Sequence, residues 1–470
     1  MRLEERKQMA RVVKRSIPGF EGEVLGPDDP GYEGARKIWN GMIDRRPAVI
    51  ARCRSSADVV AAIRFGRIEG LTLAVRSGGH GVAGYAICDG GLVIDLSPMR
   101  AIRVDPERRV ASAEGGVLWG EFDAATQAHA LATTGGVVTH TGIAGLTLGG
   151  GIGWLMRKHG LSCDNLLGVE LVTADGEIVR ADEKENTDLL WAVRGGGGNF
   201  GVVTSFEYLL HPLEPTVLAG LILHPASSAV QALRFYRDFI ADAPDELAVY
   251  LSLRTAPALP IIPAHLQGKP VVGFVVCYAG AVAEGERVLQ PLRRFGPPAA
   301  DLLAPKAYMT HQSTFDPTVP HGMHYYWKSH YLAPLSDSAI GALVEHAWTK
   351  RSPHSYTIVF HMGGAVRRVA DMATAFTGRD AEHAININAE WLGPDDPNQD
   401  TGWAQKMFAA MQPFGTGGVY VNFLGNEGEE RVRSAYGAEK YEQLARLKAT
   451  YDPENVFHLN QNIQPAVSKG

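Results

Sequence analysis

Cysteine is scarce in this chain of 470 residues: Cys53, Cys88, Cys163 and Cys277 are the only four, far apart and without a C-x-x-C pair. That spacing excludes a disulfide scaffold and a zinc ribbon, and it predicts reduced thiols. Long hydrophobic runs are also missing. The longest nearly apolar stretch, Val271 to Ala283, falls well short of the roughly 20 residues a membrane-spanning helix needs. Cations are not in excess: 45 Lys and Arg stand against 51 Asp and Glu, a formal net charge of −6. A dedicated nucleic-acid binder would carry the opposite balance, so a small-molecule partner is expected. The opening MRLEERKQMARVVKR mixes acids and bases with no apolar core. It predicts no secretory signal, and hence a cytoplasmic protein, as a monomer or homodimer, with no membrane or nucleic-acid partner.

The rest of the composition, 45% hydrophobic and 20% charged, is that of a globular chain able to bury a large core. The stretch to about Arg46 reads as a mixed arm, punctuated by the turn-forming run Pro27-Asp28-Asp29-Pro30-Gly31. Ser55 to Asp58 before VVAAIRF predicts a helix start. Strand-like runs follow at LTLAV, GLVIDL, RVASAEGG, LLGVELVTADGEIV and GVVTSFEYLL, with a helical stretch from Leu118 to Ala130. This half reads as α+β. From about His211 glycine thins, and two helical patterns, Val230 to Asp242 and Ser338 to Lys350, separate strands such as KPVVGFVVCYAG and HSYTIVFHMGG. A charged helix is predicted from Glu427 to Thr450, with Leu444 and Leu447 on an apolar face, stopped by Asp452-Pro453.

Glycine is abundant, 53 residues, and concentrated in the first half. Gly79-x-Gly81-x-x-Gly84 follows a strand and matches a dinucleotide fingerprint. The fingerprint needs a helix opening at the glycines to hold a pyrophosphate, whereas Asp89-Gly90-Gly91 reaches the next strand within a few residues. A second reading keeps the phosphate chemistry without the helix: successive N–H groups of Ser77, Gly78, Gly79 and Gly81 form an anion-binding nest. The clusters Gly142 to Gly153 and Gly195 to Gly201 have the same character, letting bare backbone approach a flat or charged ligand. Tight turns alone do not account for three of them.

Arg76-Ser77-Gly78-Gly79-His80, then Thr147 to Gly153 with Arg157 to Leu161 and Asp164-Asn165, then Asn199 to Thr204, resemble the flavin domain of the vanillyl-alcohol-oxidase (PCMH-type FAD-binding) superfamily. Tyr420-Val421-Asn422-Phe423 and Tyr451 to Phe457, running to Gln461-Asn462-Ile463, are similar to the end of its berberine-bridge-enzyme-like branch. The resemblance spans nearly the whole chain. It implies an α+β, two-domain fold: an FAD-binding domain over 1–210, a substrate domain of antiparallel sheet covered by helices over 211–420, and a C-terminal segment, 421–470, that returns to the FAD domain. It assigns cofactor contacts to Arg76, Ser77, Gly78, Gly79, His80 and Gly81, to Thr141, Gly142, Gly145, Leu146, Gly149, Gly150 and Gly153, and to Asn199, Gly201 and Val202. Tyr420 and Asn422 join them from the C-terminal segment, and His80 is the implied covalent attachment point for the flavin 8α-methyl.

Departures from the family pattern sharpen the expectation. Doubly linked relatives carry a second attachment cysteine where Val138 stands here, and valine cannot form a thioether. One bond, through His80, is therefore implied, with Cys163 a buried inert thiol. Leu146 and Ile152 replace a histidine and a tyrosine of many plant relatives. The implied reaction is oxidation of a C–OH group of a sugar, aromatic alcohol or secondary metabolite by hydride transfer to flavin N5, with dioxygen reoxidising the flavin to give hydrogen peroxide. Amine oxidation, or a dehydrogenase with another acceptor, is the alternative. Tyr420 is the candidate base, with Asn422 placed on the same face by strand alternation. The lysine that assists this tyrosine in plant relatives is replaced by Ala384, near Asn386, and Thr141 occupies the oxygen-gating position. His321-x-x-His324 with Tyr325, Tyr326 and Trp327 is expected at the roof of the site, for aromatic stacking or core packing. No metal is predicted, because no third ligand accompanies the pair.

Overall fold

The computed structural model describes residues 16–467. Strands β1 (Glu23–Leu25), β2 (Val49–Arg52), β3 (Leu73–Arg76) and β4 (Leu92–Asp95) form a sheet of order β1-β2-β4-β3. In it β4 pairs in parallel with both β2 and β3. The crossover between β2 and β3 is the helix Ser56–Ile68, opened as expected by Ser55, whose hydroxyl accepts from the Asp58 N–H at 3.2 Å. The stretch expected to be a mixed helix-and-loop arm also contributes β1 to this sheet, and its first fifteen residues lie outside the described ones.

A second sheet is built from β5 (Ile102–Asp105), β6 (Val110–Glu114), β8 (Leu166–Val172), β9 (Ile178–Asp182) and β10 (Val202–Leu209), in the order β5-β6-β10-β8-β9. A small ribbon pairs β7 (Leu131–Ala132) with β11 (His211–Pro212). The predicted helix after Leu118 spans Trp119–Gln127 and buries Trp119 and Phe122.

The third sheet is large and antiparallel throughout. It contains β12 (Thr216–Pro225), β13 (Leu247–Thr255), β14 (Pro270–Tyr278), β15 (Ala300–Asp301), β16 (Ala304–Ala307), β17 (His324–Leu332), β18 (Tyr356–His361) and β19 (His383–Trp391). Its order is β15-β12-β14-β13-β18-β19-β17, with β16 also on β12. Because side chains alternate along a strand, each strand has two destinations. On one face Val249, Leu251, Phe274, Val276, Ile385 and Ile387 pack against the helices Ala229–Ala241, Asp337–Ala347 and Thr401–Met411. On the other, Tyr250, Val275, Ile358 and Phe360 meet Trp154, Leu155 and Tyr420 from the glycine-rich part of the chain.

The charged helix predicted over Glu427 to Thr450 is two helices, Glu429–Tyr436 and Ala438–Tyr451, broken at Gly437 with φ +70°. A left-handed residue there ends one helix and redirects the next. Leu444 is buried and Leu447 partly so, as the apolar face required. This second helix carries Lys448, fully buried, whose ammonium donates to the carbonyls of Asn199 (2.8 Å) and Phe457 (3.0 Å) and to the Asp452 carboxylate.

Two predictions follow from this packing. Lys448→Met leaves the Asp452 carboxylate buried without its cation, which costs about 3–5 kcal/mol. It should appear as a lower urea midpoint with an unchanged slope. Asp123, buried and bonded to the Gln312 amide at 2.6 Å, has its carboxyl pushed up to about 7 by burial, against the lowering effect of that bond. Since the folded pKa exceeds the unfolded one, the folded state holds the extra proton between the two values. The stability this contributes is full below pH ~4 and lost as pH rises through about 7. Asp123→Asn should therefore raise the thermal midpoint at pH 8 and change it little at pH 4.

Candidate active site

One cavity of about 380 Å³ lies between the two smaller sheets, the large sheet and the C-terminal segment. All three glycine clusters line it, through Ser77 to Gly81, through Thr141, Gly142, Gly145, Leu146 and Gly149, and through Asn199, Gly201 and Val202. Tyr420, Asn422, Asn460 and Gln461 close it from the C-terminal side. No helix follows Gly79 to Gly84, which runs as loop to β4, so the nest reading survives and the dinucleotide fingerprint does not. The missing side chains matter most where two loops touch. A Cβ on Gly78 would lie 2.3 Å from the Gly142 nitrogen, and one on Gly149 would lie 2.1 Å from the Asn422 side chain. Gly81 and Gly145, by contrast, have nothing within 4 Å of an added Cβ. Arg76, Gly150 and Gly153 do not line the cavity. Arg76 donates to the Ala35 carbonyl and stands 3.7 Å from Asp95, a structural role, while Gly153 packs on the Gly135 carbonyl and Gly150 on Phe376.

At the roof, β19 turns Asn386 and Asn388 to the cavity beside Trp327 of β17 and Tyr356, Ile358 and Phe360 of β18. Phe315, Val319 and Phe423 complete an apolar wall. Several buried polar atoms on this lining have no hydrogen-bond partner among the described residues: Ser77 Oγ, Tyr436 OH and Asn460 Oδ1 toward the glycine clusters, and Trp327 Nε1, Asn386 Oδ1 and Asn388 Oδ1 at the roof. Buried polar groups are ordinarily satisfied, so the lining is built for a polar, partly flat ligand. FAD fits it: bare glycine backbone for the diphosphate, apolar walls and amide groups for the ring system.

Tyr420 is 2% exposed and its hydroxyl receives N–H groups from Gly151 (2.8 Å), Ile152 (3.4 Å) and the Asn422 amide (2.8 Å). Asn422 also donates to the Leu146 carbonyl at 2.9 Å. The two residues meet through a 3₁₀ turn, Val421–Phe423, rather than through strand alternation. Burial pushes the Tyr420 phenol up to about 12, and the Asn422, Gly151 and Ile152 donors oppose that rise. Ala384 is buried and brings no charge to this oxygen, whose donors are all neutral N–H groups.

His80 lines the cavity, half-buried between other rings. Trp39 stacks on it with centroids 4.8 Å apart, and its Nε2 lies 2.7 Å from His140 Nδ1. His321 stands edge-on at 5.5 Å. The third imidazole missing from the His321-x-x-His324 reading is thus His140, and His324 turns away to Trp391. The three rings could hold a metal by proximity alone. A separation of 2.7 Å between two ring nitrogens is shorter than the roughly 3.3 Å that two tetrahedral ligands at ~2.05 Å from zinc would show, and it is the length of a hydrogen bond. Val138 and Thr141 line the cavity where expected, and Cys163 is fully buried, its thiol pushed well up by burial. His140, Trp39 and Asn388 had no motif to announce them.

Comparison with known proteins agrees with this geometry. The family described as FAD binding domain matches residues 47–182, and that described as berberine and berberine-like matches 419–464. The chain is 33% identical over 461 residues to (R)-6-hydroxynicotine oxidase of Paenarthrobacter nicotinovorans, covering 95% of this chain and 97% of that one. It is 31% identical to an FAD-linked oxidoreductase of Dictyostelium discoideum, with 97% of each covered. Among solved structures, 6-hydroxy-D-nicotine oxidase from Arthrobacter nicotinovorans superposes with a TM-score of 0.86 at 31% identity, over 97% of this chain and all of that one. These two family matches, with relatives 31% and 33% identical over nearly the whole chain, place the chain in the berberine-bridge-enzyme-like family of FAD-linked oxidoreductases.

Proposed function

We propose that the protein is an oxidase carrying FAD attached covalently to His80 alone, that it removes a hydride from a C–OH carbon of a small aromatic or ring-shaped substrate, and that dioxygen is the final acceptor. The observation that carries the reading is Tyr420, whose hydroxyl meets three N–H donors at the cavity wall. Bound FAD supplies the two-electron acceptor at its N5. In this reading residues 1–210 with 421–470 hold the cofactor and 211–420 form the roof over it.

The chain's own groups divide the remaining work. Ser77, Gly78, Gly79 and Gly81 with Gly142 and Gly145 supply backbone N–H groups and room for the diphosphate. Asn199 and Asn460 border the same cavity from the third cluster and the C-terminal segment. Trp327, Tyr356 and Phe423 sandwich a flat substrate, and Asn386 and Asn388 offer it carbonyl oxygens as acceptors. A phenol oxygen has two acceptor lone pairs. Gly151 and Asn422 fill them, and Ile152 adds a third, longer donor, a set that favours the ionised oxygen. Tyr420 then takes the hydroxyl proton of the substrate as its carbon gives up hydride. Thr141, at the cavity wall, holds the position that by resemblance governs oxygen access.

A second reading, amine oxidation, is favoured by one observation: among the described residues no cation is bonded to Tyr420 to offset its burial, and a neutral amine loses hydride without a base. Tyr420→Phe separates the two. For C–OH oxidation it should slow anaerobic flavin reduction by ~10²–10⁴-fold and abolish the rise of that rate with pH, with FAD still bound. A loss below about tenfold favours the amine. Attachment has its own check. Wild-type protein should keep its flavin on the His80 peptide through acid precipitation and tryptic digestion, whereas His80→Ala should bind FAD and release it on denaturation.

A further inference from the structure

The substrate oxidation proposed above makes no use of the short contact between His80 and His140. His140 comes from the loop before Gly142, sixty residues along the chain. His321 arrives from the large-sheet unit and lies at 5.0 Å from His140 and 5.5 Å from His80, centroid to centroid. Trp39 covers one face of His80, and is itself held by the Val319 carbonyl (2.9 Å) and stacked on Tyr325 at 3.6 Å. The His80 ring therefore cannot turn freely. With Nε2 committed to His140, Nδ1 is the nitrogen left without a hydrogen-bond partner among the described residues.

We propose that His140 is the proton acceptor that arms His80 for flavin attachment: it fixes the tautomer with hydrogen on Nε2 and a lone pair on Nδ1, and it removes the Nε2 proton as the bond to the flavin forms. The inference rests on the covalent reading above and names the residue that makes it possible. The balance is as follows. Nδ1 forms the N–C bond to the 8α carbon, and one C–H bond of that methyl group is lost as a proton. The electron pair of that C–H bond stays in the flavin ring and passes to dioxygen. The imidazole, alkylated and cationic, returns to neutrality by giving Nε2–H to His140. One histidine, one FAD and one dioxygen thus become one histidyl-FAD and one hydrogen peroxide.

The surroundings suit each partner. Burial and the two neighbouring imidazoles hold His80 neutral, the form that can attack. The loop of His140 is tied to the Asp316 carboxylate through the Thr139 N–H at 2.9 Å and the Thr139 hydroxyl. Burial lowers the His140 pKa as it does that of His80, but the Asp316 carboxylate opposes the fall at His140 and no carboxylate does so at His80. The proton thus moves toward the ring that has a carboxylate nearby.

The test uses full-length protein, with acid-stable flavin read by fluorescence in a denaturing gel and total bound flavin read by absorbance. During incubation with added FAD, His140→Leu should reach the wild-type flavin content but form the acid-stable bond at least about tenfold more slowly, and added imidazole should restore part of the rate. His140→Gln keeps an acceptor for Nε2–H but cannot take the proton, so it too should bind FAD and attach slowly. If His140→Leu fails to bind FAD, His140→Gln decides. Attachment by either variant at the wild-type rate overturns the role of His140 while leaving the covalent reading intact. Wild-type protein whose flavin washes out in acid overturns both.

Discussion

A lysine ammonium in a protein interior must find acceptors or lose its charge, and the closure of this cavity depends on how Lys448 finds its own. Its three partners come from the glycine-rich loop at Asn199, from the turn at Phe457 and from Asp452 one helical turn on. Asp452 also accepts the N–H groups of Val456 and Phe457 at 2.7 and 2.9 Å, so the same carboxylate shapes the turn that follows the helix. Asn199 then binds the last segment directly, accepting the Ile463 N–H at 3.0 Å and donating to the Gln461 carbonyl at 3.2 Å. Asn460 and Gln461 reach the cavity wall only because this knot holds. The two ends of the motif pattern, the third glycine cluster and the C-terminal segment, are one structural unit.

The opposite wall depends on a sheet with two different faces. Helices occupy one side of the large sheet, and the other side is presented to the glycine loops. Strand alternation puts Ala384, Asn386, Asn388 and Glu390 in one row of β19, with Ile385, Ile387 and Ala389 buried under the helices. Tyr420 sits at the seam and ties the sides together, packing with Tyr331 and Phe360 while its hydroxyl is held by the loop at Gly151. A polar row on an apolar sheet is what lets substrate chemistry vary while the frame remains constant.

How much of this could be read from the chain alone follows the range of the interactions. The glycine clusters announced themselves, because a bare backbone has a local signature, whereas Tyr420 and its neighbour Asn422 stood out through the resemblance of the Y-x-N segment to the family. Helix limits at Ser55 and near Ala229 and Asp337 were equally local. The break at Gly437 was missed because its neighbours, Tyr436 and Ala438, extend the helical pattern on both sides. Arg76 looked like part of the phosphate loop, but its guanidinium is spent on Ala35 and Asp95. His140 was silent for a different reason. Its meaning comes from His80 and His321, which the fold alone brings to it.

Burial drives both key side chains to their neutral forms, which suits one proposed role and opposes the other. A buried imidazole is driven to its neutral form, which is the form the proposed attachment needs, so the enclosure of His80 by Trp39, His140 and His321 works in its favour. A buried phenol is driven to its neutral form as well, which is the wrong one for a base. Tyr420 therefore needs the extra investment of Gly151, Ile152 and Asn422 aimed at its oxygen, and even these leave it pushed up to about 12. The glycine at 151, with φ +96°, turns its N–H inward to make one of those bonds, and any side chain there would strike Ser162. The second glycine cluster thus lines the cavity at Gly149 and serves the phenol at Gly151. That double duty is why the glycine run is continuous: Gly149 makes room for Asn422, Gly150 for Phe376 and Gly151 for Ser162.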